Sequence, residues 1–235
     1  PCFVSFDPSG RVALVANYGD GTVASYRVDE RGVLSEPRTA FTHTGRGARD
    51  DRQSGPHAHS IRTSPDGRFA IAADLGIDKL MLYRLDADHG TMLPHDPPSV
   101  ATAPGAGPRH LAFSVDGSTL FVANELDLTL TAYAFDAARG TLTPTQTLST
   151  LPEVTTPEAR AGASNAEVAV HPSGRFVYVS VRGIQSISAY QFHDGRLTPL
   201  GHTPLPGQTP RHFAISPTGT TMIVALQDSN RLLAL

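Results

Sequence analysis

The chain has 235 residues, a formal net charge of −3 and a single cysteine, Cys2. That length supports a substantial core. The near-balanced charge gives no electrostatic case for nucleic acid or an anionic membrane as a partner, and one cysteine excludes a disulfide framework or a multi-cysteine metal site.

No apolar run approaches the ~18 residues of a membrane span. The sequence opens directly on a strand-like pattern, so no signal peptide is expected. Val4–Phe6 leads through a Pro-Ser-Gly turn into Arg11–Ala16 and then Thr22–Tyr26, each a short apolar run of strand type. The same sentence recurs as FDPSGRVALVANYG (6–19), TSPDGRFAIAADLG (63–76), FSVDGSTLFVANEL (113–126), VHPSGRFVYVSVRG (170–183) and ISPTGTTMIVALQD (215–228). Polar hairpins such as DADHGTML (86–93) and FDAARGTL (135–142) precede a further strand, and no long window has helical periodicity. The turn glycines Gly10, Gly67, Gly117, Gly174 and Gly219 are 57, 50, 57 and 45 residues apart. A period of that size predicts an all-β fold, a β-propeller with one four-stranded sheet per repeat. Five repeats are visible across residues 1–235, read as one propeller domain. The last stops inside its third strand, which suggests part of a larger ring.

Superposing the repeats on their glycines exposes a candidate site. Eight residues before each glycine lie Cys2, His59, Arg109, Ala166 and Arg211, and eight after lie Tyr18, Leu75, Glu125, Arg182 and Gln227. Both offsets fall at the end of the hairpin opposite its turn, so these positions are expected at one mouth of the central channel. Cations gathered at one level repel unless an anion binds among them, and a single glutamate does not neutralise three arginines. His59, Arg109, Glu125 and Arg182 are therefore the candidate catalytic residues, with His57, Arg211, Glu167 and Gln227 as candidate substrate contacts.

His57 and His59 share a face of an extended segment, but zinc needs at least a third protein ligand and the aligned partners are arginines. No metal or other cofactor is expected. His57 reads equally as a turn histidine bonded to loop backbone. Ser60 is expected on the opposite side from His59, so a serine nucleophile is not. His110 and His212 are expected to face away from the channel and pack. His43, His89, His95, His171, His193 and His202 read as surface residues. No GxSxG, P-loop or GxGxxG signature is present.

These segments resemble the lactonase family of seven-bladed β-propellers, which includes 6-phosphogluconolactonases and fungal carboxy-muconate lactonizing enzymes. The similarity runs through PCFVSFDPSGRVALVANYGDGTV (1–23), GPHAHS (55–60), GPRHLAFSVDGSTLFVANEL (107–126), NAEVAVHPSGRFVYVSVRG (165–183) and TPRHFAISPTG (209–219). Two departures are Val181 before Arg182, where the family more often has Asn, and Val115 in place of a turn proline. The family's proposed site, a His, two Arg and a Glu, falls on His59, Arg109, Arg182 and Glu125. Relative to the family, about two N-terminal blades and a C-terminal tail are missing from this stretch.

The resemblance implies hydrolysis of a small anionic sugar-acid lactone, 6-phosphogluconolactone to 6-phosphogluconate. It also implies a cytoplasmic enzyme, with periplasm or secretion left open. Lactone opening needs an activated water and a cation for the oxyanion. His59 is the favoured base, with Glu125 orienting it or holding the water, and Glu125 as base is the alternative. Cyclisation of a muconate, or a non-enzymatic propeller binding an anionic ligand, are the other readings.

Overall fold

A computed structural model describes all of residues 1–235. Nineteen strands follow one another almost without helix. They are β1 (Phe3–Phe6), β2 (Val12–Asn17), β3 (Thr22–Val28), β4 (Leu34–Thr42), β5 (Ala58–Thr63), β6 (Phe69–Asp74), β7 (Lys79–Asp86), β8 (Thr91–Ala101), β9 (Pro108–Phe113) and β10 (Thr119–Asn124). There follow β11 (Thr129–Asp136), β12 (Thr141–Ser149), β13 (Ser164–Val170), β14 (Phe176–Arg182), β15 (Ser186–His193), β16 (Arg196–Pro204), β17 (Pro210–Ile215), β18 (Met222–Leu226) and β19 (Arg231–Ala234). One five-residue helix, α1 (Pro157–Ala161), and a single 3₁₀ turn (Gln227–Ser229) interrupt them. Consecutive strands form four sheets of four and one of three, β17-β18-β19. This is the repeated antiparallel blade of a β-propeller.

One turn builds every blade. The N–H of Asp7, Ser64, Ser114, His171 or Ser216 bonds the carbonyl five residues on, and the glycine N–H three residues on bonds back to the first carbonyl. All five glycines sit at φ of +70 to +74°, a region where an L side chain is strained. In four repeats the first residue also accepts the N–H five residues on with its side chain: Asp7 from Val12, Ser64 from Phe69, Ser114 from Thr119 and Ser216 from Thr221. His171 differs, with its ring against Ser173 Oγ and the Gly219 carbonyl.

The second strand of a blade is covered on both faces and reads as a nearly unbroken apolar run. β6 (FAIAAD) and β10 (TLFVAN) are buried throughout. The fourth strand is the blade's edge. β4, β8, β12 and β16 bury few residues and each carries proline, which cannot donate to a further strand.

The chain divides into two compact units, Pro1–Leu111 with Phe135–Leu142, and Ala112–Ala134 with Thr143–Leu235. In the first, Val12, Leu14, Val23, Ile61, Tyr83 and Met92 form a core between the first two sheets. In the second, Phe121, Leu130, Val168, Val179, Tyr190 and Leu197 do the same, and Ile187, Phe213 and Val224 make a further cluster.

Candidate functional site

The first unit holds the GPHAHS segment. Pairing of β5 with β6 slips between Ala58 and Ser60, so His59 is the extra residue of a β-bulge. A bulge breaks the alternation of faces and re-aims a side chain. His59 is buried, as are both its chain neighbours. Its ring meets Tyr18 edge-on at 5.5 Å and His110 edge-on at 5.2 Å, with Cys2 Sγ 4.0 Å from Nδ1. His110 also packs edge-on against Phe3 of β1, at 5.0 Å. His110 is buried and packs by its ring edge against both of these neighbours.

His57 stacks flat on Tyr18, ring centroids 4.3 Å apart, and donates from Nδ1 to the Tyr18 carbonyl at 2.8 Å. Its own N–H donates to Asp74 Oδ1 at 2.7 Å. Ser60 donates its hydroxyl to the Arg109 carbonyl, 2.7 Å, tying β5 to β9. Arg109 is 2% exposed, so its guanidinium charge is held away from bulk water.

Two carboxylates that sequence reasoning missed hold this half together. Asp74 accepts from His57 N–H and Gly76 N–H on one oxygen and meets His43 Nδ1 at 2.6 Å on the other. His43 Nε2 lies 2.7 Å from the Tyr83 hydroxyl. Burial, and then the charge of Asp74, push the Tyr83 phenol well above its ordinary range, so it stays protonated. Asp74 and the Tyr83 hydroxyl thus engage both ring nitrogens of His43. Asp78 accepts from Gln53 Nε2 (2.6 Å), Gly105 N–H (2.7 Å), Gly107 N–H (2.9 Å) and Ala48 N–H (3.4 Å). It fastens the loop before β5 to the loop before β9, the two strands that carry His59 and Arg109. His43 and His95, expected at the surface, are both 4% exposed. Their burial follows from partners distant in sequence, the Asp74–Tyr83 pair for His43 and the edge of Phe69 for His95.

The second unit holds the other two candidates. Arg182, the last residue of β14, places Nη2 3.0 Å from Glu125 Oε2, with the side chains 15% and 6% exposed. The same Nη2 donates to the Asn165 carbonyl at 2.8 Å, and the Asn165 N–H donates to the Glu125 carbonyl at 3.3 Å. β13 slips against β14 between Asn165 and Val168, a second bulge. Within it Glu167 is buried, its N–H bonded to Ser180 Oγ and its carboxylate in contact with His212 Nδ1. A third bulge falls between Pro210 and His212, at Arg211. Arg211 and Gln227 are exposed, and Gln227 opens the 3₁₀ turn with its N–H bonded to the Thr209 carbonyl. His212, expected to pack, is instead exposed, with its ring against the Glu167 carboxylate.

Chemically, each unit sets imidazoles beside buried carboxylates, His43 at Asp74 in the first and His212 at Glu167 in the second. A paired, largely dry guanidinium is a preorganised partner for an oxyanion or a phosphate.

Repeated four-stranded blades with one shared glycine turn make this an all-β propeller. The chain belongs to the lactonase family: the family described as "Lactonase, 7-bladed beta-propeller" matches residues 1–235. It is 33% identical over 234 residues to the 6-phosphogluconolactonase of Bacillus subtilis, covering 99% of this chain and 64% of the relative. It is 30% identical over 238 residues to that of Formosa agariphila, covering 99% and 65%. Among solved structures, the periplasmic gluconolactonase PpgL of Pseudomonas aeruginosa superposes with a TM-score of 0.89 at 31% identity, over all of this chain and 65% of that one. The chain spans about two thirds of the length of the relatives it matches.

Proposed function

We propose that the protein hydrolyses a sugar-acid lactone, with 6-phosphogluconolactone as the substrate. The observation that carries this reading is the Glu125–Arg182 pair, an almost dry carboxylate and guanidinium on neighbouring blades, in a chain whose relatives are named 6-phosphogluconolactonase or gluconolactonase. Water attacks the lactone carbonyl, a tetrahedral oxyanion forms, and the ring C–O bond breaks to leave a hydroxy-carboxylate.

His59 takes the water proton. Its unperturbed type of pKa, about 6.5, suits a base at neutral pH, whereas the Glu125 carboxylate is already engaged by Arg182. Arg182 stabilises the oxyanion. Arg109 holds the substrate anion, a task suited to a planar bidentate fork. His57 and Gln227 fix the sugar hydroxyls, and Arg211 reaches the phosphate. No step of this reading calls for a metal.

No helix is long and apolar enough to cross a membrane. A phosphorylated substrate points to the cytoplasm. An unphosphorylated one would suit a periplasmic enzyme like PpgL.

The test is a substrate panel: 6-phosphogluconolactone, gluconolactone and cis,cis-muconate, with spontaneous opening subtracted. Faster turnover of the phosphorylated lactone supports the reading. Turnover of muconate alone would replace it with the cyclising chemistry.

A further inference from the structure

A sugar lactone is rich in hydroxyls, and each one that leaves water needs a partner in the protein. At the entry to β5, one imidazole is held as a hydrogen-bond acceptor before any substrate arrives.

We propose that His57 is a specificity-determining residue: Tyr18 holds its proton on Nδ1, so that Nε2 stands ready to accept a hydrogen bond from a lactone hydroxyl. The proposal rests on the lactonase reading above and adds the group that tells a hydroxylated lactone from a bare one. A backbone carbonyl only accepts. The 2.8 Å contact of His57 Nδ1 with the Tyr18 carbonyl therefore places the proton on Nδ1. In the neutral ring the lone pair then lies on Nε2. No protein group engages Nε2, and the atom reaches solvent.

The direction of that lone pair is fixed. The imidazole lies flat on the Tyr18 ring, with centroids 4.3 Å apart and planes 7° from parallel. Its backbone N–H is held by Asp74 Oδ1 at 2.7 Å, and Asp74 is itself buried and bonded to the Gly76 N–H. Loops close on the segment from two sides. A Cβ on Gly21 would fall 2.3 Å from Pro56 Cβ, and one on Gly76 would fall 2.0 Å from the Gly55 carbonyl oxygen. Both approaches are ones that only glycine allows. Every residue of this arrangement belongs to the first unit.

An acceptor held this firmly has little ordering left to lose when a ligand binds. A hydroxyl satisfies it. A hydroxyl-free lactone that displaces its water leaves the lone pair unpaired, and is disfavoured for that reason.

The experiment has a spectroscopic arm and a kinetic arm, both on the full-length protein at pH 8, where an ordinary imidazole is neutral. Long-range proton–nitrogen correlation spectra should show His57 as the Nδ1–H tautomer. Gluconate, which keeps the hydroxyls, should shift the Nε2 resonance. Pentanoate, which keeps only the carboxylate, should not.

In the kinetic arm, His57→Phe keeps a ring on Tyr18 and removes both nitrogens. It should cut the preference for gluconolactone over δ-valerolactone, as a ratio of kcat/KM, by roughly 3–10-fold. The loss should fall on gluconolactone, with δ-valerolactone turnover close to wild type. His57→Gln returns an acceptor oxygen and should keep part of the preference.

An Nε2–H tautomer, a shift no larger with gluconate than with pentanoate, or an unchanged preference in His57→Phe overturns the proposal. Equal losses on both lactones would mark His57 as structural only and overturn it too. If the wild-type protein opens neither lactone, the lactonase reading falls, and the spectra alone decide whether Nε2 takes a hydroxyl.

Discussion

Arg182 Nη2 reaches two acceptors at once, Glu125 Oε2 at 3.0 Å and the Asn165 carbonyl at 2.8 Å. The guanidinium thereby links the end of β14 to the start of β13 and to the residue after β10. Breaking a buried ion pair by removing one partner leaves an uncompensated charge, typically at about 3–5 kcal/mol. Arg182→Ala should lose stability on that scale and turnover with it. Glu125→Gln together with Arg182→Met removes both charges, and should recover most of the stability but none of the activity. A double-mutant cycle by urea unfolding and lactone hydrolysis reads both. Recovery of activity in the double variant would contradict a catalytic role for the pair.

Asp78 carries a prediction about the first unit. Its four N–H donors come from the loops that lead into β5 and β9. Removing the acceptor strands buried donors, each costing about 1–3 kcal/mol. Asp78→Ala should therefore cost at least about 3 kcal/mol in urea unfolding and lower kcat/KM, because His59 and Arg109 lie downstream of the loosened loops. A cost below about 1 kcal/mol would show that the loops are held by something else.

The blade was legible in the sequence because its turn demands particular residues. A Pro-x-Gly or Asp-Gly turn, its glycine at φ near +70°, and the apolar run after it leave a written trace, and it placed five hairpins correctly. The bulges left none. His59 and Arg211 sit at register shifts that depend on how two strands pair, and no pattern within one strand records them. His43 looked like a loop residue because its partners, Asp74 and Tyr83, are 31 and 40 residues away. Glu167 was singled out, but as a substrate contact. Its pairing with His212 depends on packing between blades, which no local pattern records.

The turn glycines are not equivalent. Gly10 has φ of +70° and open space where a Cβ would stand, so Gly10→Ala should cost about 1–2 kcal/mol, the left-handed strain alone. Gly140 has φ of +71°, and a Cβ there would fall 2.2 Å from the Phe69 ring. Gly140→Ala should cost clearly more, as the ring must move out of the core. Thermal unfolding of the two variants ranks them, and equal losses would mean that Phe69 yields freely.

Acid should weaken the blades through their turns. The Asp116 carboxyl is held below its ordinary 3.8 by the Ser114 hydroxyl and then the Ser118 N–H, against a smaller opposing effect of burial. For Asp66, burial pulls upward, but the Ser64 hydroxyl and Arg68 outweigh it. A carboxyl with a lowered folded-state pKa stabilises the fold above its unfolded value near 3.8, and that stabilisation is lost as pH falls through the folded-state value. Urea midpoints should thus drop steeply below about pH 4. Asp116→Asn should be less stable than wild type at pH 7, by about 1 kcal/mol, with the gap closing toward pH 3. A gap that widens in acid would reverse the sign of the argument.

The most direct test of the central claim is steady-state hydrolysis of 6-phosphogluconolactone by the full-length protein and its His59→Asn variant, corrected for spontaneous opening, from pH 5 to 9. The wild type should outpace spontaneous opening, with an acidic limb that reports a histidine. His59→Asn should lower kcat by roughly 10²–10⁴ with little change in KM. Near wild-type kcat in His59→Asn, with activity abolished by Glu125→Gln, would move the base to Glu125, and a wild-type protein no faster than spontaneous opening would contradict the lactonase account itself.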